Sequence, residues 1–177
     1  MRVGPDLDDV RESIGSALNL PACCQIGFVV PELESAIALY EPLFGPFNIV
    51  EYGRIEGAVF RGKPAPYEIR MGIGYSGELE LELIEWVSGD TPHKEFIDAG
   101  RSGMHHMSFT VGDLDAVVER GRGLGYEPIW YHAMSDEIKY AYLERAGDPL
   151  LVELTQRPWS GGNVIQPAKG GSRNGSG

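Results

Sequence analysis

The chain has 177 residues, 42% of them hydrophobic, which is enough to bury one compact core or two small modules packed together and excludes a disordered tail. With 15 Lys+Arg against 26 Asp+Glu the formal net charge is −11, which argues against duplex nucleic acid or anionic membrane as partners, because neutralising phosphate needs a basic surface. No apolar run approaches the roughly 20 residues of a membrane span, and the opening MRVGPDLDDV lacks the basic start and apolar centre of a signal peptide, so a cytoplasmic protein is expected.

In chain order, Leu7, Val10, Ile14, Ala17 and Leu18 recur at near-helical spacing and predict an N-terminal helix within residues 1–20. Cys23 and Cys24 are adjacent and fit neither a disulfide framework nor a CxxC motif, so they read as small apolar strand residues. CQIGFVV predicts a strand, and PELESAIALYEPLFG a helix stopped by Gly45 and Pro46. Strand-like stretches follow near 48–53, 56–61 and 67–75, then the alternating ELELELIEW from Glu78, with Gly53, Gly62, Pro64, Pro66, Ser76 and Gly77 as turn residues. Thr91 and Pro92 suit the N-cap and first residue of a short helix over HKEFIDAG. HHMSFTV predicts a strand, GDLDAVVERGRGLG an amphipathic helix, and 127–132, 138–145 and 149–156 three further strands. The tail 157–177, ending KGGSRNGSG, has no apolar periodicity and is expected to be disordered.

An internal repeat organises these elements. At an offset of 81 residues QIGFVVPELESAI pairs with HMSFTVGDLDAVV, matching Phe28 to Phe109, Glu32 to Asp113 and Leu33 to Leu114. At an offset of 71, ELIE at 82–85 pairs with ELTQ at 153–156. Two copies of a βαβββ-like unit, hence an α+β fold, follow. Strand parity then sorts the side chains, because residues two apart share a face. Gln25, Gly27 and Val29 share one face, His106, Ser108 and Thr110 the equivalent one, and Glu82 and Glu153 lie opposite in parity to their leucine and valine neighbours. Two carboxylates, an imidazole and an amide oxygen suit a dication such as Zn²⁺, Ni²⁺, Co²⁺, Mn²⁺ or Mg²⁺. His105 has the parity of Met107 and is expected to point away from the metal. Glu80 is expected to line the cavity or form a rim salt bridge, and His93 and His132 have no motif around them.

The stretches GMHHMSFTVGDLDAVVERGRGLG and LLVELTQRP resemble the vicinal-oxygen-chelate (glyoxalase/bleomycin resistance/dioxygenase) superfamily over residues 22–156, and within it look most like methylmalonyl-CoA epimerases. The resemblance implies two βαβββ modules, at about 21–89 and 101–156, forming a vicinal-oxygen-chelate barrel. It implies one divalent metal ion held by Gln25, Glu82, His106 and Glu153, and an isomerase or epimerase that abstracts a proton next to a carbonyl, such as that of an acyl-CoA thioester. Glu153 would be the base, and Glu68 in YEIRMG the second base that makes the product an epimer. Epimerases usually carry His at the place of Gln25 and often Gln at that of Glu82. The set present here looks like that of eukaryotic glyoxalase I, so a lactoylglutathione lyase is an alternative, as is a non-catalytic small-molecule binding protein of the bleomycin-resistance type. A CoA pocket would need cations such as Arg54, Arg61 or Arg70. A homodimer is expected from the resemblance alone. His106→Ala and Glu153→Ala are expected to abolish metal binding, and His105→Ala to leave it.

Overall fold

The alternating runs become strands in the computed structural model, which describes residues 17–158. The predicted N-terminal helix before Ala17 and the tail after Pro158 lie outside the described residues. The first module runs β1 (Gln25–Val29), α1 (Leu33–Phe44), β2 (Asn48–Glu51), β3 (Val59–Phe60), β4 (Lys63–Pro64), β5 (Glu68–Ser76) and β6 (Leu79–Ser88). After α2 (Pro92–Asp98) the second runs β7 (Gly103–Thr110), α3 (Leu114–Arg122), β8 (Tyr126–Ala133), β9 (Lys139–Arg145) and β10 (Leu151–Gln156).

The strands form one sheet in the order β2-β5-β6-β1-β7-β10-β9-β8-β3-β4. Its symmetry is that of the sequence repeat. β1 lies parallel to β6, β7 lies parallel to β10, and the two modules meet where β1 runs antiparallel to β7. The small β3–β4 hairpin departs from the repeat, since it leaves the first module and adds to β8 of the second, pairing Val59 with Tyr131. The expected α+β pair of modules is present, and the strand order is linear, with β2 and β4 at its two ends.

The repeated residues solve one local problem twice. Glu32 caps α1 by accepting from the backbone N–H of Ser35 at 2.8 Å, and its repeat mate Asp113 caps α3 by accepting from Ala116 at 3.0 Å. The closing strands reach the same helix ends. Leu33 N–H donates to Glu85 Oε2 at 2.8 Å, and Leu114 N–H to Gln156 Oε1 at 2.9 Å. These four residues are the paired positions of the 81- and 71-residue offsets, so the ELIE/ELTQ match records a shared need to satisfy a helix's first N–H groups. Thr91 caps α2 as the sequence predicts, accepting from Lys94 N–H at 3.0 Å.

On the outer face Leu33 of α1 packs with Leu81 and Leu83 of β6, and Leu114 and Val117 of α3 pack with Leu143 of β9 and Leu154 of β10. Each fully buried leucine contributes about 1.5–3 kcal/mol, against about 0–1 kcal/mol for an exposed ion pair, so these clusters hold the helices to the sheet. On the inner face Ile69 and Ile84 from one arm join Trp130 and Tyr142 from the other in one cluster, which requires the sheet to curl over itself. Ala58, Phe60, Ala65 and Tyr67 from the hairpin region fill that concavity from one side.

Candidate metal centre

The centre starts from a missing side chain. Gly27 on β1 is flanked by Glu82 on β6 and His106 on β7, and the His106 imidazole lies across it: a Cβ there would fall 1.9 Å from His106 Cε1 and 2.2 Å from Nε2. The ring can therefore reach toward β6. His106 Nε2 lies 3.5 Å from Glu82 Oε2 and 3.6 Å from Glu153 Oε2. Glu153, on β10, sits opposite Ser108 and Tyr142 in the sheet and accepts hydrogen bonds from both. His106 is wholly buried, and the side chains of Glu82 and Glu153 are 12% and 10% exposed.

The Glu82 and Glu153 oxygens nearest the ring are not within 4.8 Å of each other, but the two distances from His106 Nε2 suit a shared cation. They are long for hydrogen bonds, and Nε2 is a buried nitrogen without a hydrogen-bond partner. Bonds of about 2 Å to one ion would set His106 Nε2 and each carboxylate oxygen roughly 3–4 Å apart. Electrostatics agrees. Burial raises the Glu82 pKa to about 8, with the Glu80 charge adding to it. Burial also raises Glu153, opposed by His106, by Ser108 and by Tyr142, while the Glu82 charge adds. Burial lowers His106, so the imidazole is neutral. Two desolvated carboxylates beside a neutral imidazole form a site that takes up protons unless a cation replaces them.

A pH dependence follows. Because Glu82 moves up from 4.5 to about 8, its contribution to the stability of the metal-free fold is present at low pH and is lost as pH rises through about 8. A dication competes with that proton. Calorimetric titration with Zn²⁺ is expected to show proton release near neutral pH, and affinity rising up to about tenfold per pH unit until pH reaches about 8. Affinity independent of pH over that range would mean that the ion does not use Glu82.

Of the sequence-predicted residues, Glu82, His106 and Glu153 come together. Gln25 shares their face, but its Nε2 donates to Glu80 Oε1 at 2.6 Å, and the Tyr75 hydroxyl donates to the other Glu80 oxygen. Glu80 thus holds the Gln25 amide rather than making the expected rim salt bridge. Glu68 is not brought to the centre. Tyr67 and Ile69 on either side of it belong to the inner cluster, and Glu68 has the parity of Arg70 and Gly72, which meet α1 on the outer face. That parity directs Glu68 away from the face that carries Glu82 and His106.

His105 departs from the strand alternation. Gly27 pairs with His106 but Phe28 pairs with Met104, so a β-bulge leaves His105 as an extra residue and breaks the alternation. Its Nδ1 lies 3.0 Å from His106 Nδ1. Gly27, Ser108, Tyr142 and the buried His93, whose Nε2 meets the Tyr142 hydroxyl at 3.3 Å, were not singled out by motif. The repeat was a usable signal for one of them, since Ser108 is the mate of Gly27. Among the described residues a tighter trio of donors, within 4.8 Å of one another, is Glu32, Glu34 and Glu85. It is accounted for by Arg70, which binds Glu34 and Glu85, and by the caps of α1. Two surface hollows, of about 360 and 420 Å³, lie elsewhere: beside Leu18, Leu20 and Phe109, and between the hairpin and α2.

Fold and site together define a protein of two repeated modules whose junction carries a buried imidazole between two carboxylates. The chain belongs to the Glyoxalase/Bleomycin resistance protein/Dioxygenase superfamily, whose family model matches residues 24–142. This bears out the family resemblance of the sequence. The hypothetical protein BH1468 from Bacillus halodurans C-125 is similar in structure, with 18% identity and a TM-score of 0.57 over 80% of this chain and 98% of that one. The methylmalonyl-CoA epimerase of Mycobacterium tuberculosis is similar at 18% identity and a TM-score of 0.55, over 78% of this chain and 89% of that one. A Streptomyces coelicolor methylmalonyl-CoA epimerase variant in complex with 2-nitronate-propionyl-CoA is similar at 18% identity and a TM-score of 0.56, over 78% and 95%. At these identities the likeness is one of fold. A search of curated protein sequences finds no significant match.

Proposed function

We propose that this chain is a metal-dependent enzyme that moves a proton next to a carbonyl group, as an isomerase or epimerase. The observation that carries this reading is the unpartnered His106 Nε2 at 3.5 and 3.6 Å from two nearly buried carboxylates. Glu82, His106 and Glu153 would hold one dication, Zn²⁺, Ni²⁺, Co²⁺, Mn²⁺ or Mg²⁺. The Gln25 amide would be the fourth ligand through Oε1, the atom left over when Nε2 donates to Glu80. When bound, the ion would polarise a substrate carbonyl and offset the negative charge that develops on its oxygen.

Glu153 would take the α-proton. Burial raises its proton affinity, which suits a general base near neutral pH, and hydrogen bonds from Ser108 and Tyr142 keep the carboxylate in place. With Glu68 having the parity of the outer face, Glu153 itself would return the proton to the neighbouring carbon, which gives an isomerisation; an epimerisation would need a proton donor on the opposite face of the enolate. The structural neighbours include epimerases bound to acyl-CoA compounds, which supports a thioester substrate. The cations named for a CoA pocket argue for a smaller carbonyl compound: Arg54 pairs with Glu56, Arg61 with Glu95 and Glu144, and Arg70 with Glu34, Glu51 and Glu85. The second reading is a glyoxalase I-like lyase acting on a glutathione hemithioacetal, favoured by the Gln, Glu, His, Glu set. A homodimer fits the exposed apolar face of α1, where Leu39 and Leu43 are 68% and 70% exposed. Among the described residues no helix is long and apolar enough to cross a membrane.

The test is elemental analysis before and after chelation. It is followed by α-proton exchange in D₂O on (2R)- and (2S)-methylmalonyl-CoA and turnover of a glutathione hemithioacetal, each with metal restored. About one ion per chain with metal-dependent exchange is the expected result. Metal with lyase turnover alone moves the reading to the hemithioacetal. No metal after reconstitution overturns it in favour of a binding protein.

A further inference from the structure

His105 lies where the sequence alternation alone would not put it. The bulge in β7 turns this extra residue toward its neighbour, bringing His105 Nδ1 to 3.0 Å from His106 Nδ1. The His105 ring is 1% exposed and is held on three sides, by His93 at 4.9 Å between ring centroids, by Phe96 at 5.1 Å and by Tyr142 at 5.6 Å. Two of these clamps come from α2 and one from β9, so neither ring of the histidine pair is free to turn away.

We infer that His105 is a positioning residue for the centre: its Nδ1 accepts the Nδ1–H of His106, so that the His106 Nε2 lone pair is presented between Glu82 and Glu153. This rests on the metal reading given above. A hydrogen bond between two ring nitrogens joins one that carries a hydrogen to one that offers a lone pair. A contact between two Nδ1 atoms needs one of them to donate. If His105 donated, a neutral His106 would carry its hydrogen on Nε2, the atom that lies between Glu82 and Glu153, and could not bind an ion there. If His106 donates, the same atom becomes a ligand. Metal-binding histidines commonly give their second N–H to a carboxylate, a carbonyl or water; here the acceptor is a second imidazole, supplied by the preceding residue.

The experiment is imidazole ¹⁵N–¹H correlation spectroscopy on Zn²⁺-loaded protein, with Zn²⁺ affinity measured for His105→Phe and His105→Gln. In the wild type His106 should be protonated at Nδ1 and metal-bonded at Nε2. The phenylalanine ring fills the space but cannot accept, so affinity should fall by about 10–100-fold, and the glutamine, whose amide oxygen can accept, should recover most of it. Melting curves on both variants separate lost affinity from lost fold, and the wild-type spectrum stands without either variant. Coordination of His106 through Nδ1, or an unchanged affinity in a folded His105→Phe, overturns the role of His105 while leaving the metal centre intact. A wild type that binds no ion overturns the metal reading and this inference with it.

Discussion

Gly27→Ala is expected to abolish binding of the proposed metal ion. The new methyl group would fall 1.9 Å from His106 Cε1 and 2.2 Å from Nε2, and a ring that is wholly buried cannot yield without leaving its place between Glu82 and Glu153. Changes beyond the ligands themselves cost about 10–100-fold in affinity, so displacing a ligand should cost on the order of a hundredfold or more. Overpacking should add about 1–3 kcal/mol of destabilisation. Gly112→Ala is the control, because a Cβ at Gly112 meets nothing within 4 Å. Titration calorimetry and thermal melts of the two variants check the prediction. A Gly27→Ala protein that binds Zn²⁺ as the wild type does would show that His106 does not need to lie across β1, and the three-residue centre would be wrong.

Glu153→Gln is expected to stop proton transfer while changing the shape of the site least. Removal of a general base typically costs about 10²–10⁴-fold, and the amide also presents N–H groups toward Ser108 and Tyr142, which donate to the native carboxylate. The measurement is the rate of α-proton exchange at saturating metal, so that weaker binding of the ion does not stand in for lost chemistry. Glu68→Gln should leave the rate unchanged, since Glu68 has the parity of the outer face and Tyr67 and Ile69 take the inner one. If the two results were exchanged, the assignment of inner and outer faces on β5 would have to be reversed.

The histidine pair and the metal test together divide the site into separable parts. On the proposed reading His106 and the two carboxylates would decide whether an ion is held, Gly27 whether the ring can reach it, and the Glu80 carboxylate which atom the Gln25 amide has left to offer. Replacing any of these alters affinity first and chemistry second. Glu153 belongs to both groups, which is why its isosteric substitution is the more informative one.

Much of the fold was legible in the chain. Side chains on a strand alternate between faces, so the parity of Glu82, His106 and Glu153 against their apolar neighbours placed all three on one surface before any coordinates. The duplication was legible because each copy has to cap its own helix: Glu32 and Asp113, and Glu85 and Gln156, make the same bonds in the two modules. What only the tertiary structure decided depends on pairings between distant residues. The Gln25 amide meets Glu80, 55 positions away. The β3–β4 hairpin crosses to β8 instead of staying in its own module, and the sheet ends at β2 and β4 without closing. Glu68 falls on the outer face, and the bulge opposite Gly27 turns His105 inward against its own parity. Alternation is a local property of the backbone and survives in any strand, whereas register and bulges are set by which strand lies alongside, and no local pattern in the chain carries that information.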